Sequence, residues 1–174
     1  MTGSSWNPAT AGTIPTMMRG DFAPRPDPED PMPATVTVPA RSDFKVLRPM
    51  QTRWMDNDHY GHVNNVAYYS YFDTAVNGFL MEATASDTRE LSAIGIVAET
   101  GCRFLKEITF PDVLYIGLRL TKLGNSSVIY QLAVFRGNDP EPAALGRFVH
   151  VYVDAKSRKP VPVPAVIRSA LEKL

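Results

Sequence analysis

The 174-residue sequence has a single cysteine, Cys102, which excludes an intrachain disulfide framework and any zinc site built on cysteine pairs. It has no excess of either charge, since eighteen Lys plus Arg balance eighteen Asp plus Glu. Nothing therefore draws it to phosphate backbones or anionic lipid, and nucleic acid is excluded as a main partner. No apolar run approaches the roughly 20 residues that a bilayer-crossing helix needs, so no membrane span is expected. The first twenty residues also lack the basic start and apolar stretch of a secretion signal. The expected location is cytoplasmic. Internal repeats are missing too, and nothing has the pattern of a Rossmann unit.

What is present divides near residue 42. Eight of the fifteen prolines fall within residues 1–40, and Arg25-Pro26-Asp27-Pro28-Glu29-Asp30-Pro31 alternates proline with charge, leaving nothing periodic to bury. Residues 1–42 are read as a disordered or strap-like arm, in which Trp6, Ile14, Met17, Met18 and Phe22 are the side chains able to lie across a neighbouring subunit. Residues 43–174 are read as one folded domain.

Within that domain Phe44-Lys45-Val46-Leu47-Arg48 opens a strand. From Asn64 to about Met81 the residues Tyr69, Phe72, Val76, Phe79 and Leu80 recur at spacings of three and four, the signature of an amphipathic helix. Asn64 or Asn65 caps it, because an Asn side-chain oxygen accepts a free first-turn N–H. The period then changes to two: Leu114, Ile116, Leu118 and Leu120 share one face of a strand. Three further strands are expected at about Ile94–Ile108, Val128–Arg136 and Leu145–Asp154, with turns at Gly124-Asn125-Ser126-Ser127 and Gly137-Asn138-Asp139-Pro140. A short helix closes the chain at about Pro164–Lys173. The order predicts an α+β fold, an antiparallel sheet of about five strands wrapped round one long helix. Val113–Leu120 and Val128–Phe135 carry only Arg119 as a charge and no proline, which marks them as candidate edges able to pair with a second copy.

Chemistry concentrates in the loop before the long helix, Arg53-Trp54-Met55-Asp56-Asn57-Asp58-His59-Tyr60-Gly61-His62-Val63-Asn64-Asn65. It holds two of the three histidines. A loop ending at a helix N-terminus presents unpaired N–H groups and the positive end of the macrodipole, which suits a developing oxyanion. Asp58 lies just upstream. An acid beside such donors can hydrolyse an activated acyl group, one activating water or attacking, the other stabilising the tetrahedral oxygen. Asp56 reads as a turn-stabilising partner of Arg53 or of a backbone N–H, Gly61 as a special backbone angle or a point of close ligand approach, and His59 as solvent-facing. Asp73 reads as a solvated or structural acid of the helix, and Cys102 as a small buried hydrophobe. The acids and imidazoles of the loop match no metal-ligand motif. The Lys156-Ser157-Arg158-Lys159 turn reads as a solvated loop, with contact to a ligand's phosphates at the site mouth as the alternative.

The run Asp56-x-Asp58-x-x-Gly61-His62-Val63-Asn64-Asn65-x-x-Tyr68-x-x-Tyr71-Phe72-Asp73, followed by this strand order, resembles the hot-dog-fold acyl-CoA thioesterases of the 4-hydroxybenzoyl-CoA thioesterase family, over about Asp43 to Asp154. The resemblance implies that Asp58 is the catalytic carboxylate and that the Asn65 N–H polarises the thioester carbonyl. The His-Val-Asn-Asn run is also similar to that of plant acyl-carrier-protein thioesterases, which implies a catalytic role for His62, although Tyr60 stands where those enzymes have a catalytic asparagine. It further implies a substrate seated against Gly61, Val63, Asn64 and Tyr68, an apolar acyl tunnel with Tyr71 and Phe72 in its lining, no cofactor and no metal. The expected partner is an acyl-CoA or acyl-carrier-protein thioester, and the expected assembly a homodimer, a dimer-based tetramer or higher. Two other activities fit the fold class, an acyl-thioester hydratase or dehydratase and a non-catalytic acyl-CoA-binding protein. The sequence lacks the His-Phe-Pro type of motif of the former.

Overall fold

The computed structural model describes residues 38–174. Residues 1–37, and with them the strap reading of Trp6, Ile14, Met17, Met18 and Phe22, lie outside the described residues. The strands are β1 (Val46–Gln51), β2 (Ala93–Phe104), β3 (Val113–Leu123), β4 (Ser127–Arg136) and β5 (Ala144–Asp154), and the helices are α1 (Asn65–Thr84) and α2 (Ala165–Leu171).

The five strands form one antiparallel sheet in the order β1-β3-β4-β5-β2. β3, β4 and β5 make the expected meander, while β1 and β2, which precede and follow α1 in the chain, take the two edges. This corrects the edge assignment read from charge content. β3 and β4 each have a neighbour on both sides, and their charge-poor runs face apolar residues on both faces of the sheet. Of the true edges, β1 has only six residues and carries Pro49, a residue that discourages pairing, whereas β2 runs for twelve.

α1 buries Tyr68, Tyr71, Phe72, Ala75, Val76, Phe79 and Leu80, a stripe at spacings of three and four. The stripe packs on the alternate residues Leu114, Ile116 and Leu118 of β3, Tyr130, Leu132 and Val134 of β4, and Phe148 and Tyr152 of β5. Contact is closest at Gly146, where a Cβ would stand 2.7 Å from the ring of Phe72, so only glycine lets the helix lie this near the sheet. α2 adds Ile167 and Leu171 to this core, and the other face of the sheet carries a smaller cluster of Phe44, Ala133, Phe135 and Leu145. Among the described residues no helix is long and apolar enough to cross a membrane.

Two boundaries differ from the sequence reading. α1 continues past Met81 to Thr84 and stops where Ala85 turns left-handed, at φ 51°. β2 ends at Phe104, short of Ile108, because the next two N–H groups, of Leu105 and Lys106, both turn to the carbonyl of Ala143, at 2.8 and 2.9 Å. Residues 105–112 thereby become a loop that passes the start of α1, where Val63 N–H donates to the Ile108 carbonyl at 2.8 Å.

Candidate active site

The loop from β1 to α1 is ordered by its own polar groups. Asp56 Oδ2 accepts from Arg53 N–H at 2.7 Å and from the Tyr71 hydroxyl at 2.7 Å. The Asp56 carbonyl accepts from Asn64 N–H at 2.8 Å. Burial and the Asp56 carboxylate hold the Tyr71 hydroxyl protonated, well above its ordinary pKa. Asp56 is thus the tie between loop and helix that its partnership with Arg53 foreshadowed. Further on, Asp58 N–H donates to the His62 carbonyl at 2.8 Å and Gly61 N–H to the Asp58 carbonyl at 3.2 Å. Gly61 sits at φ +85° with nothing within 4 Å of a Cβ placed there, so the turn needs glycine for its backbone angle and not for space.

The Asp58 carboxylate is fixed by one oxygen. Oδ1 accepts from Tyr60 N–H at 2.8 Å and from His62 N–H at 3.3 Å, while Oδ2 has no hydrogen-bond partner among the described residues. At the start of α1 the Asn64 side chain caps the helix, its Oδ1 accepting from Val66 N–H at 3.2 Å, and the Asn64 carbonyl takes Ala67 N–H at 2.9 Å. The N–H of Asn65, the first helical residue, finds no acceptor among the described residues. It is an unsatisfied first-turn donor at the positive end of a helix of twenty residues.

Asp58 and Asn65 line one cleft of about 360 Å³, together with His62, Val63 and Tyr68 and with residues 104–108 at the end of β2. Tyr68 meets Phe104 edge-on at 4.9 Å, and burial raises its hydroxyl to about 12. His62 Nε2 lies 3.2 Å from Glu107 Oε2. Of the seven residues expected in the site, these five meet in the cleft; Gly61 shapes the turn and Asn64 caps the helix, and neither is on the wall. Tyr71 and Phe72, expected along an acyl tunnel, belong instead to the core, because their side of α1 faces the sheet. Sequence reasoning misses residues 104–108. Their approach depends on where β2 ends, and nothing local in the sequence links Glu107 to His62.

The other polar residues have separate duties. His59 is exposed, and Asp73 is exposed on α1 with its Oδ1 accepting from Asn77. Cys102 is half-buried, and burial pushes its thiol up to about 12, which keeps it from serving as a thiolate nucleophile. The Lys156–Lys159 turn follows Asp154, which pairs with Ala93, so it lies at the opposite end of β2 from Phe104 and the cleft. The basic residue at the cleft is Lys106, whose Nζ is 2.7 Å from Glu141 Oε2. Among the described residues no three His, Cys, Asp or Glu side chains are grouped as metal ligands.

A five-stranded antiparallel sheet wrapped round one long helix defines the hot-dog fold of thioester hydrolases. Comparison with known proteins agrees. The profile of the Thioesterase-like superfamily matches residues 52–171, and the chain belongs to that family. Among solved structures it is similar to the PA5185 protein of Pseudomonas aeruginosa strain PAO1, with 46% identity and a TM-score of 0.76 over 79% of this chain and 96% of that one. It is also similar to a thioesterase of Thermus thermophilus complexed with coenzyme A and zinc, with 29% identity and a TM-score of 0.62 over 74% and 98%. A curated relative, YsmA of Bacillus subtilis (strain 168), is 25% identical over 134 residues, 75% of this chain and 89% of its own.

Proposed function

We propose that this thioesterase hydrolyses an acyl-CoA to the free acid and coenzyme A, with Asp58 as general base, the Asn65 N–H as oxyanion donor and His62 as a positioning residue. The observation that carries the reading is that Asp58 and the unpaired Asn65 N–H line the same cleft. The thioester carbonyl oxygen rests on the Asn65 N–H, where the helix dipole favours developing negative charge. A water held by the free Oδ2 of Asp58 attacks the carbonyl carbon, and its proton passes to Asp58. Collapse of the tetrahedral intermediate breaks the C–S bond, and the departing thiolate takes the proton from Asp58, returning the carboxylate. His62 gives its N–H to Asp58 and its ring to Glu107, tying the acid to the 104–108 wall. The Thermus thermophilus relative binds coenzyme A, which supports CoA over an acyl-carrier protein as the thiol carrier. No step requires a cofactor.

The test is thiol release from a panel of CoA thioesters by the full chain and by Asp58→Asn, both checked for folding by thermal unfolding. The expected result is a fall in kcat of roughly 10²-fold with little change in KM, the scale on which a lost general base acts. Turnover by the folded variant at the wild-type rate would overturn the assignment.

The same reading includes a homodimer, or a multiple of one, formed through β2. This edge is long, Ile96 and Val97 on it are 39% and 46% exposed, and its outer N–H and C=O groups lack a neighbouring strand among the described residues. Antiparallel pairing of two such edges satisfies those groups and covers the apolar residues.

A further inference from the structure

A second cavity, of about 130 Å³, lies between the later half of α1 and the start of β2. His150 of β5 lines it. The imidazole is only 2% exposed, yet neither ring nitrogen has a hydrogen-bond partner among the described residues. Such a group is costly to leave unpaired, and buried polar atoms of native proteins are nearly always satisfied. What stands over Nδ1 is Gly95 of β2, where a Cβ would lie 3.2 Å from Nδ1 and 3.2 Å from the Tyr152 ring. Glycine at this position therefore keeps open the space that the nitrogen faces. The remaining wall joins the apolar Leu80, Leu91, Ile94 and Ile167 to the polar Asn77, Thr88 and Arg89.

We infer that this cavity is a binding subsite for an uncharged hydroxyl on an apolar body of about the size of a benzene ring, the hydroxyl pairing with the His150 imidazole. A neutral imidazole offers one donor and one acceptor, and only a group that can both give and take a hydrogen bond suits either tautomer. A carboxylate would need a free cation, but the Arg89 guanidinium at the rim is already held by Asp87 at 2.6 Å. Asp73, close enough for its charge to act on His150, also opposes an anion. Burial holds the imidazole neutral at physiological pH, with a pKa lowered to about 4. In size the cavity is near the roughly 150 Å³ at which an apolar protein cavity accepts benzene.

The hydroxyl has two sources, a free small molecule or the acyl group of a thioester. Within one chain the cavity and the cleft are apart, since their nearest lining residues on α1, Tyr68 and Asn77, are separated by about 13 Å at the rise of a helix. In an antiparallel β2 pair, however, the Gly95 end of one strand lies beside the Phe104 end of the other, bringing the cavity to the partner's cleft. This second source rests on the proposed activity and dimer; the first does not.

The experiment titrates phenol and toluene into the full chain and follows the His150 ring nitrogens by NMR. Phenol is expected to bind at least ten-fold more tightly than toluene and to shift those signals. Gly95→Ala, which fills the space over Nδ1, should abolish phenol binding, and His150→Leu, read by calorimetry, should remove the preference; thermal unfolding verifies that each variant is folded. Equal affinity for the two probes, binding of neither, or a preference that survives both substitutions would overturn the inference. A parallel arm compares kcat/KM of wild type and Gly95→Ala on acyl-CoA pairs of equal length with and without a hydroxyl. A selective loss of about ten-fold on the hydroxylated member identifies the acyl group as the source. Unchanged kinetics with phenol binding still lost identifies a free molecule. Failure of the thioesterase reading leaves the phenol arm intact.

Discussion

Lowering the pH from 7 to 4.5 tests the burial of His150 directly. In the unfolded chain this imidazole has its ordinary pKa of 6.5, whereas in the folded protein burial lowers it to about 4, against a smaller upward pull from Asp73. Between those two values the unfolded chain takes up a proton that the folded protein refuses. Unfolding therefore becomes easier as the pH falls, and the loss ends near pH 4, where both states are protonated. At about 1.4 kcal/mol per unit of pKa shift, the full window is worth about 3 kcal/mol. That is a large share of the 5–15 kcal/mol typical of a folded domain, and on the usual scale corresponds to about 10 °C in Tm. Asp87, with its carboxyl held near 2 by hydrogen bonds from Arg89, loses its contribution only at lower pH. The assay is urea unfolding of wild type and His150→Leu at half-unit steps of pH. The difference in stability between the two chains should grow in favour of the variant as pH drops from 6.5, approaching about 3 kcal/mol at pH 4. Parallel curves across this window would show that His150 titrates normally and that the burial argument is mistaken.

The remaining expectations concern chemistry, chain ends and edges. Dialysis against a chelator should leave thioester hydrolysis intact, since the proposed steps use only an acid and a backbone N–H; lost activity that zinc restores would contradict them. Ala85→Gly should raise stability by about 1 kcal/mol in urea unfolding, because Ala85 ends α1 at φ 51°, where a Cβ is disfavoured. Light scattering at low micromolar concentration should give a dimer mass or a multiple of it, and Val97→Lys, which places a charge at the centre of the β2 edge, should shift it to the monomer. An active wild-type monomer would refute the β2 assembly.

The periodicity of α1 and β3 is legible because each repeats over several turns or residues. Spacing alone puts Tyr69 in the buried stripe, yet Tyr69 is only half-buried while the neighbouring Tyr68 and Tyr71 are buried. The stripe's exact centring depends on what the helix meets, which the helix sequence alone does not state. Strand order is not legible either. A run such as Val128–Phe135 is apolar because other strands flank it and both faces are covered, and that same composition looks like an unprotected edge when read in isolation. In the site, Asp58 and Asn65 are readable because one short segment contains both. Glu107 is not, for it reaches His62 only through the early end of β2. His150 occupies an inward position of β5 among Phe148 and Tyr152, and no local pattern marks it as lacking a partner.

The hydrogen bond from Tyr71 to Asp56 joins a core side chain to the loop that carries the proposed general base. Most active-site loops lose conformational freedom when substrate arrives, and that loss weakens binding and slows the chemical step. Here the loop is fastened near its start, at Asp56, to a residue whose ring is packed in the core, and at its end to the helix itself through Asn64. The entropy of ordering Arg53 to Asn65 is thus settled when the chain folds. On the proposed mechanism, substrate meets an acid already oriented, and the rigidity of the reacting geometry is inherited from the hydrophobic packing around Tyr71.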